Sequence, residues 1–151
     1  MSDFVWTDAT VRRALGLRTE LAETDVEYSG VSTDSRSIVA GDLYVALTGD
    51  HFDGHDFVAD ALSRGATGAV VSRPAAGDPR ARLYPVDDTL VALGRLAAHR
   101  RTRLEAPVVA ITGSAGKTTA KNMTFSALAA TLRVHATHAN LNNRIGMPLT
   151  L

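Results

Sequence analysis

Residues 108–123 read VVAITGSAGKTTAKNM, and this stretch limits the possible folds more than any other. An apolar run (Val108, Val109, Ala110, Ile111) feeds a Gly-Ser-Ala-Gly turn. Lys117, Thr118 and Thr119 follow, and then a helical pattern begins. Gly113 and Gly116 let the backbone turn sharply, so that several N–H groups point into one concavity with a helix N-terminus behind them. In such a loop the lysine reaches terminal phosphates and the hydroxyl of the next residue, here Thr118, takes Mg²⁺. Lys117 and Lys121 are the only two lysines, the other positive charges being arginines. A compact point charge on a flexible stem suits a triphosphate. Ile111 stands where the full G-x-x-x-x-G-K-[ST] pattern has its first glycine, so the loop is a shortened form, T-G-S-x-G-K-T-T. A glycine turn before an ordinary helix is the plain alternative. It is disfavoured because strand, loop, Lys-Thr and helix occur together.

Composition narrows the rest. A chain of 151 residues with 45% hydrophobic content suits one full domain, or a small domain plus part of another. Its formal net charge is zero, with no basic stripe, which argues against nucleic acid as a partner. There is no cysteine, so disulfides and thiolate metal sites are excluded. The start, MSDFVWTDATVRRALG, lacks the apolar core of a signal peptide, and no apolar run approaches the ~20 residues of a membrane span. The expectation is a soluble cytoplasmic protein.

Patterning predicts an α/β chain. Thr7 to Leu15 reads as a short helix capped by Thr7 or Asp8 and ended by Gly16. Val26–Ser32, Leu43–Leu47, Ala69–Ser72 and Leu83–Val86 read as strands. Phe57 to Arg64 fits a helix with Phe57, Val58, Ala61 and Leu62 inward, and Asp87 to Arg103 a longer one with Leu90, Leu93, Leu96 and Ala97 inward. Pro107 opens a buried strand before the phosphate loop; Lys117–Leu132 is a helix, Val134–Ala136 a further short strand, and Pro148–Leu151 the start of a helix. These elements divide into a small α/β unit over residues 1–85 and, over 86–151, the beginning of a parallel nucleotide-binding sheet. Only about two strands can be drawn after Pro107, where a doubly wound sheet has about five or more. The second unit is therefore expected to be incomplete, and the chain to be the N-terminal part of a longer protein.

Three motifs in order resemble the Mur ligases of peptidoglycan synthesis. The first, VSTDSRSIVAGDLYVALTGDHFDGHDFVADALSRGATGAVV (Val31 to Val71), is similar to the N-terminal UDP-binding domain of that family. The second, TGSAGKTT (Thr112 to Thr119), is similar to its short phosphate loop. The third, NLNNRIGMPLTL (Asn140 to Leu151), resembles the segment of the branch that adds D-alanyl-D-alanine. The branch that adds the third amino acid usually carries a threonine-rich sequence there. The resemblance covers nearly all of the chain after about Tyr28. Arg144 stands where the family usually has an acid, and Asn122 where a glutamate is common.

The resemblance implies an ATP-dependent amide ligase that activates a carboxylate as an acyl phosphate before an amine attacks it. It implies that Gly113, Ser114, Ala115, Gly116, Lys117, Thr118 and Thr119 bind ATP, that Lys117 and Thr118 serve catalysis, and that Thr118 holds Mg²⁺. It implies that Ser32, Thr33, Asp34, Ser35 and Arg36, with Ala46, Gly49, Asp53 and His55, enclose the UDP part of a UDP-N-acetylmuramoyl-peptide. Arg36 is equally a partner for an anion or a brace for Asp34, and Asp53 and His55 equally ligand contacts or a hydrogen-bonded loop and cap. Asn140, Asn142 and Asn143 are contacts to the muramyl-peptide side or turn formers. D-alanyl-D-alanine is the implied second substrate, and a monomer the expected state. The carbamylated lysine, the Mg²⁺-binding glutamate and the adenine contacts of the family have no counterpart here, so the chain by itself is expected not to catalyse ligation. Two rivals remain: a UDP-sugar-binding module without catalysis, and an unrelated phosphate-loop kinase or GTPase, which leaves the DSR and DGH segments without a role.

Overall fold

The alternation of Leu43, Val45 and Leu47 with Tyr44 and Ala46 organises the first unit, because successive strand residues face opposite sides of a sheet and here both sides are apolar. In the computed structural model, which describes residues 4–18, 26–75, 81–137 and 143–151, this strand is central and has a helical layer on each side. The elements are β1 (Trp6–Thr7), α1 (Asp8–Leu15), β2 (Glu27–Tyr28), β3 (Val31–Ser32), β4 (Leu43–Val45), α2 (Val58–Ser63), β5 (Gly68–Val71), β6 (Arg82–Pro85), α3 (Thr89–Arg103) and α4 (Lys117–Ala129). Strands β3-β4-β5-β6 form a parallel sheet in chain order, and β1 pairs antiparallel with β2.

One face of the sheet packs against α1 and α3. Val11 and Leu15 of α1 meet Leu93 and Leu96 of α3 over Leu43, Val45, Val70 and Tyr84. The other face packs against α2, where Val58 and Ala61 cover Tyr44, Ala46, Ala69 and Val71. Thus α3, which follows residue 85, belongs to the core of the first unit. So does Ile145, and the 3₁₀ turn Pro148–Thr150 lies against α3. Helix ends follow local chemistry. Thr7 and Thr10 close a reciprocal cap at the start of α1, and Gly16 ends it in the left-handed region at φ 74°. The Asp88 carboxylate accepts from the N–H groups of Leu90 (2.7 Å) and Val91 (3.0 Å) to start α3.

Several expectations are corrected. The strand expected over 26–32 is two short strands in two different sheets, because the chain bends at Ser29-Gly30 and Leu43 takes Gly30 O as its backbone partner. Phe57 is 46% exposed and precedes α2, ending a 3₁₀ turn (Gly54–Phe57) instead of joining the inward stripe. Residues 108–111 and 134–136 form no strand, and none is found among the described residues after Pro85. A strand needs a hydrogen-bonding neighbour, and without one the apolar run stays open, with Val109 67% exposed. The C-terminal helix start is a single 3₁₀ turn.

Candidate functional site

Three of the four parallel strands, β3, β4 and β5, deliver polar loops at their carboxyl ends, and open α/β sheets place ligands at that edge. There the structure has a cleft of about 680 Å³. Its floor and walls come from Thr33–Arg36 after β3, Tyr44, the segment with Phe52, Gly54 and Phe57 after β4, and Asp60 and Arg64 of the α2 region.

The β3 loop is built around Asp34. Its Oδ1 accepts from Arg36 N–H (3.0 Å) and caps the 3₁₀ turn Ser35–Ser37, while the Arg36 guanidinium makes a fork with both oxygens (Nε–Oδ1 2.9 Å, Nη2–Oδ2 2.7 Å). Hydrogen bonds from the Arg36 side chain, then its backbone, pull the Asp34 carboxyl down to about 2. The Arg36 side chain is nevertheless 83% exposed, with outward-facing N–H capacity for an anion. Ser32 Oγ lies beneath the turn, donating to Asp34 O (3.2 Å), and Ser35 is buried. Asp60 pairs with Arg64 (2.9 Å), which holds the Asp60 carboxyl below its ordinary value.

The β4 loop is a small hairpin. Gly49 N–H donates to Phe52 O (2.9 Å) and Thr48 bridges to Asp53, leaving the Phe52 ring 54% exposed over the cleft. The chain then dives back over the sheet: Gly54 N–H donates to Leu47 O (2.7 Å), and Tyr44 Oη donates to Gly54 O (3.1 Å). Burial pushes the Tyr44 phenol up to about 12, so it stays a donor. Ala46 is fully buried beneath this crossing. His55 is buried, and Asp53 caps the turn by accepting His55 N–H (2.9 Å). That backbone bond, then the His55 ring and Arg73, hold the Asp53 carboxyl well below the usual range.

Thr33, Asp34, Ser35 and Arg36 thus line the cleft. Ser32, Ala46, Gly49, Asp53 and His55 support it from behind. Tyr44, Phe52, Phe57, Asp60 and Arg64 are lining residues that the sequence alone did not single out. Two aromatic residues five apart across a DGH turn were the available signal.

The loop expected to bind phosphate, residues 112–119, stands outside this cleft. Gly116, at φ 75°, occupies the cap position of α4 with no side chain capping it, so the first-turn N–H groups face outward beside the exposed Gly113, Ser114 and Ala115. Lys117 Nζ folds back to donate to Gly113 O. Thr118 and Thr119 are exposed on the first turn of α4. The Asn143 carboxamide accepts from Ile145 N–H (3.1 Å) and Gly146 N–H (2.7 Å), forming the turn into the last segment. Asn140 and Asn142 lie outside the described residues. Among the described residues no group of three or more His, Cys, Asp or Glu is placed to hold a metal. No helix among them is long and apolar enough to cross a membrane.

Residues 27–101 match the family described as "Mur ligase family, catalytic domain". The chain is 45% identical over 134 residues to the UDP-N-acetylmuramoyl-tripeptide–D-alanyl-D-alanine ligase of Synechocystis, covering 88% of this chain and 29% of that protein. It is 44% identical over 135 residues to the Escherichia coli ligase of the same name, covering 89% and 29%. Among solved structures, MurF from Acinetobacter baumannii matches with TM-score 0.84 and 36% identity, over 97% of this chain and 32% of that one. MurF from Thermotoga maritima, in complex with ADP, matches with TM-score 0.71 and 33% identity, over 80% and 28%. The chain therefore spans about 29% of the length of these curated relatives.

Proposed function

The chain belongs to the Mur ligase family, and on that premise we propose that it is the substrate-recognition and phosphate-loop part of the ATP-dependent ligase that adds D-alanyl-D-alanine to UDP-N-acetylmuramoyl-tripeptide. Residues 1–85, with α3 packed on them, hold the UDP moiety at the carboxyl-edge cleft. Residues 86–151 contribute the loop that holds ATP. The observation that carries this reading is the pairing, in one chain, of a polar-and-aromatic cleft after β3 and β4 with an uncapped, glycine-flanked helix start bearing Lys117.

The residues divide the work by chemistry. In the cleft, the exposed guanidiniums of Arg36 and Arg64 face a diphosphate, and the Phe52 and Phe57 rings offer apolar faces to a base. At the loop, backbone N–H groups of residues 114–119 donate to phosphate oxygens, and Lys117 leaves Gly113 O to neutralise the transferring phosphoryl group. Thr118 is the protein ligand available for Mg²⁺. Its exposed hydroxyl on the first turn fits a metal that keeps several waters and takes its other oxygens from phosphates. When bound, the ion neutralises phosphate charge. Asn140, Asn142 and Asn143 are the proposed contacts to the muramyl peptide, Asn143 through the part of its carboxamide that the turn leaves free. This part works as a cytoplasmic monomer and by itself releases no phosphate.

Calorimetric titration tests the reading. Binding of UDP-N-acetylmuramoyl-tripeptide with ATP absent is the expected result. Binding of Mg-ATP with no binding of the UDP compound overturns it in favour of a self-sufficient phosphate-loop protein.

A further inference from the structure

Asp53, His55 and Ser72 have the identities and nearly the spacing of a nucleophilic triad. His55 Nδ1 lies 2.6 Å from Asp53 Oδ1, and His55 Nε2 lies 3.3 Å from Ser72 Oγ. The triad is chemically closed. Ser72 N–H, which can only donate, sits 2.9 Å from the same Nε2 and takes its single lone pair. The ring therefore carries its proton on Nδ1 and donates it to Asp53. It has no base left for the serine, and its side chain is 1% exposed.

What this arrangement does is join two loops. On one side, Asp53 is held by His55 N–H and by Arg73 (3.0 Å), which also grips Asp56 (2.7 Å). On the other, Ser72 and Arg73 extend from the carboxyl end of β5. Between them, the segment 48–57 presents Phe52, Gly54 and Phe57 to the cleft. Few apolar contacts hold those two rings, both about half exposed, so their placement depends on the polar ties behind them.

We propose that His55 is a positioning residue of the cleft: as a neutral ring protonated on Nδ1, it pins the segment carrying Phe52 and Phe57 to the end of β5 and so sets the cleft's width for its nucleotide. The nucleotide part of this proposal rests on the UDP reading above. The pin itself does not.

The test uses the 151-residue chain. Nitrogen-15 spectroscopy of the histidine ring is expected to show the Nδ1–H tautomer, with slow exchange of the Ser72 amide. H55F keeps an aromatic ring, somewhat larger than imidazole, and removes both ring-nitrogen hydrogen bonds, while H55Q retains an acceptor for Ser72 N–H. Amide exchange over 52–57 is expected to speed up tenfold or more in H55F and less in H55Q. Affinity for UDP-N-acetylmuramoyl-tripeptide is expected to fall at least tenfold in H55F, with partial rescue in H55Q and unchanged Mg-ATP affinity. An Nε2–H or doubly protonated ring overturns the pin, and so does unchanged exchange in the variants. Equal UDP-compound affinity in wild type and H55F overturns the positioning role. If the wild type shows no UDP-compound binding, the UDP reading fails, while the tautomer and the exchange data still decide the pin. If H55F does not fold, H55Q and the wild-type ring carry the decision.

Discussion

Tyr28 and Tyr84 meet hydroxyl to hydroxyl at 2.6 Å in the core, and Tyr84 in turn donates to Asp8 Oδ1 at 2.7 Å. Asp8 is only 2% exposed, and Arg12 (2.9 Å) and Arg82 (3.3 Å) complete its shell. Because Tyr84 gives its proton to the carboxylate, Tyr28 must be the donor in the tyrosine pair. Burial and both neighbours push the Tyr84 phenol far up, so it stays protonated. Tyr84→Phe deprives Asp8 of a donor and Tyr28 of an acceptor inside the core. A loss of about 1–3 kcal/mol is expected in urea unfolding.

The same carboxylate makes stability fall in acid. Burial works to raise the Asp8 pKa, but the hydrogen bonds from Tyr84 and Arg12 outweigh it and the net shift is downward from 3.8. A depressed folded value means that the contribution is present above the unfolded pKa and lost as pH falls through the folded one. Thermal midpoints measured downward from about pH 5 should drop more steeply for wild type than for Asp8→Asn, which has no charge to lose. Equal slopes would show that Asp8 does not govern the acid limb.

Gly54→Ala should distort the cleft wall that Gly54 helps to form. A Cβ there would lie 2.7 Å from Leu47 O and 2.8 Å from Leu47 N, both backbone atoms that cannot swing away. The crossing segment must lift, at about 1–3 kcal/mol of strain. The expected outcome is a lower unfolding midpoint together with weaker binding of the UDP compound.

Lys117→Ala should separate the two sites. Lys117 is the half-buried first residue of α4, and its side chain bonds to Gly113 O of an exposed loop, so stability should change by no more than about 0.5 kcal/mol. Mg-ATP affinity should be lost and UDP-compound affinity retained. Parallel loss of both in calorimetry would show that the loop and the cleft are not independent.

The sheet of the first unit was legible because its two central strands, β4 and β5, are fully buried apolar runs with turn residues between them, and Thr7, Asp88 and Gly16 mark helix ends by their chemistry. What failed has a common cause. Val108–Ile111 has the composition of a buried strand, but pairing comes from neighbours and not from the run itself. Phe57 fits a helical stripe by spacing, yet the Asp53 cap starts a tighter 3₁₀ turn that rotates the ring outward. At the cleft, Thr33–Arg36 could be read from a motif. Arg64 could not, because a helix-end arginine looks the same whether it faces solvent or a ligand. His55 and Ser72 are 17 residues apart, and no local pattern joins them.

The Asp8–Tyr84 bond also bears on how the chain is made. Its partners are 76 residues apart, at the first helix and the last strand of the sheet. A nascent chain with β3, β4 and β5 already outside the ribosome still has an unpaired tyrosine hydroxyl at Tyr28 and a carboxylate that cannot be buried at low energy. The first unit is therefore expected to close in one late step, once β6 and the α3 residues that share its core have emerged. Chains arrested before Tyr84 has cleared the exit should remain protease-sensitive along their whole length, and those arrested well after it should be resistant.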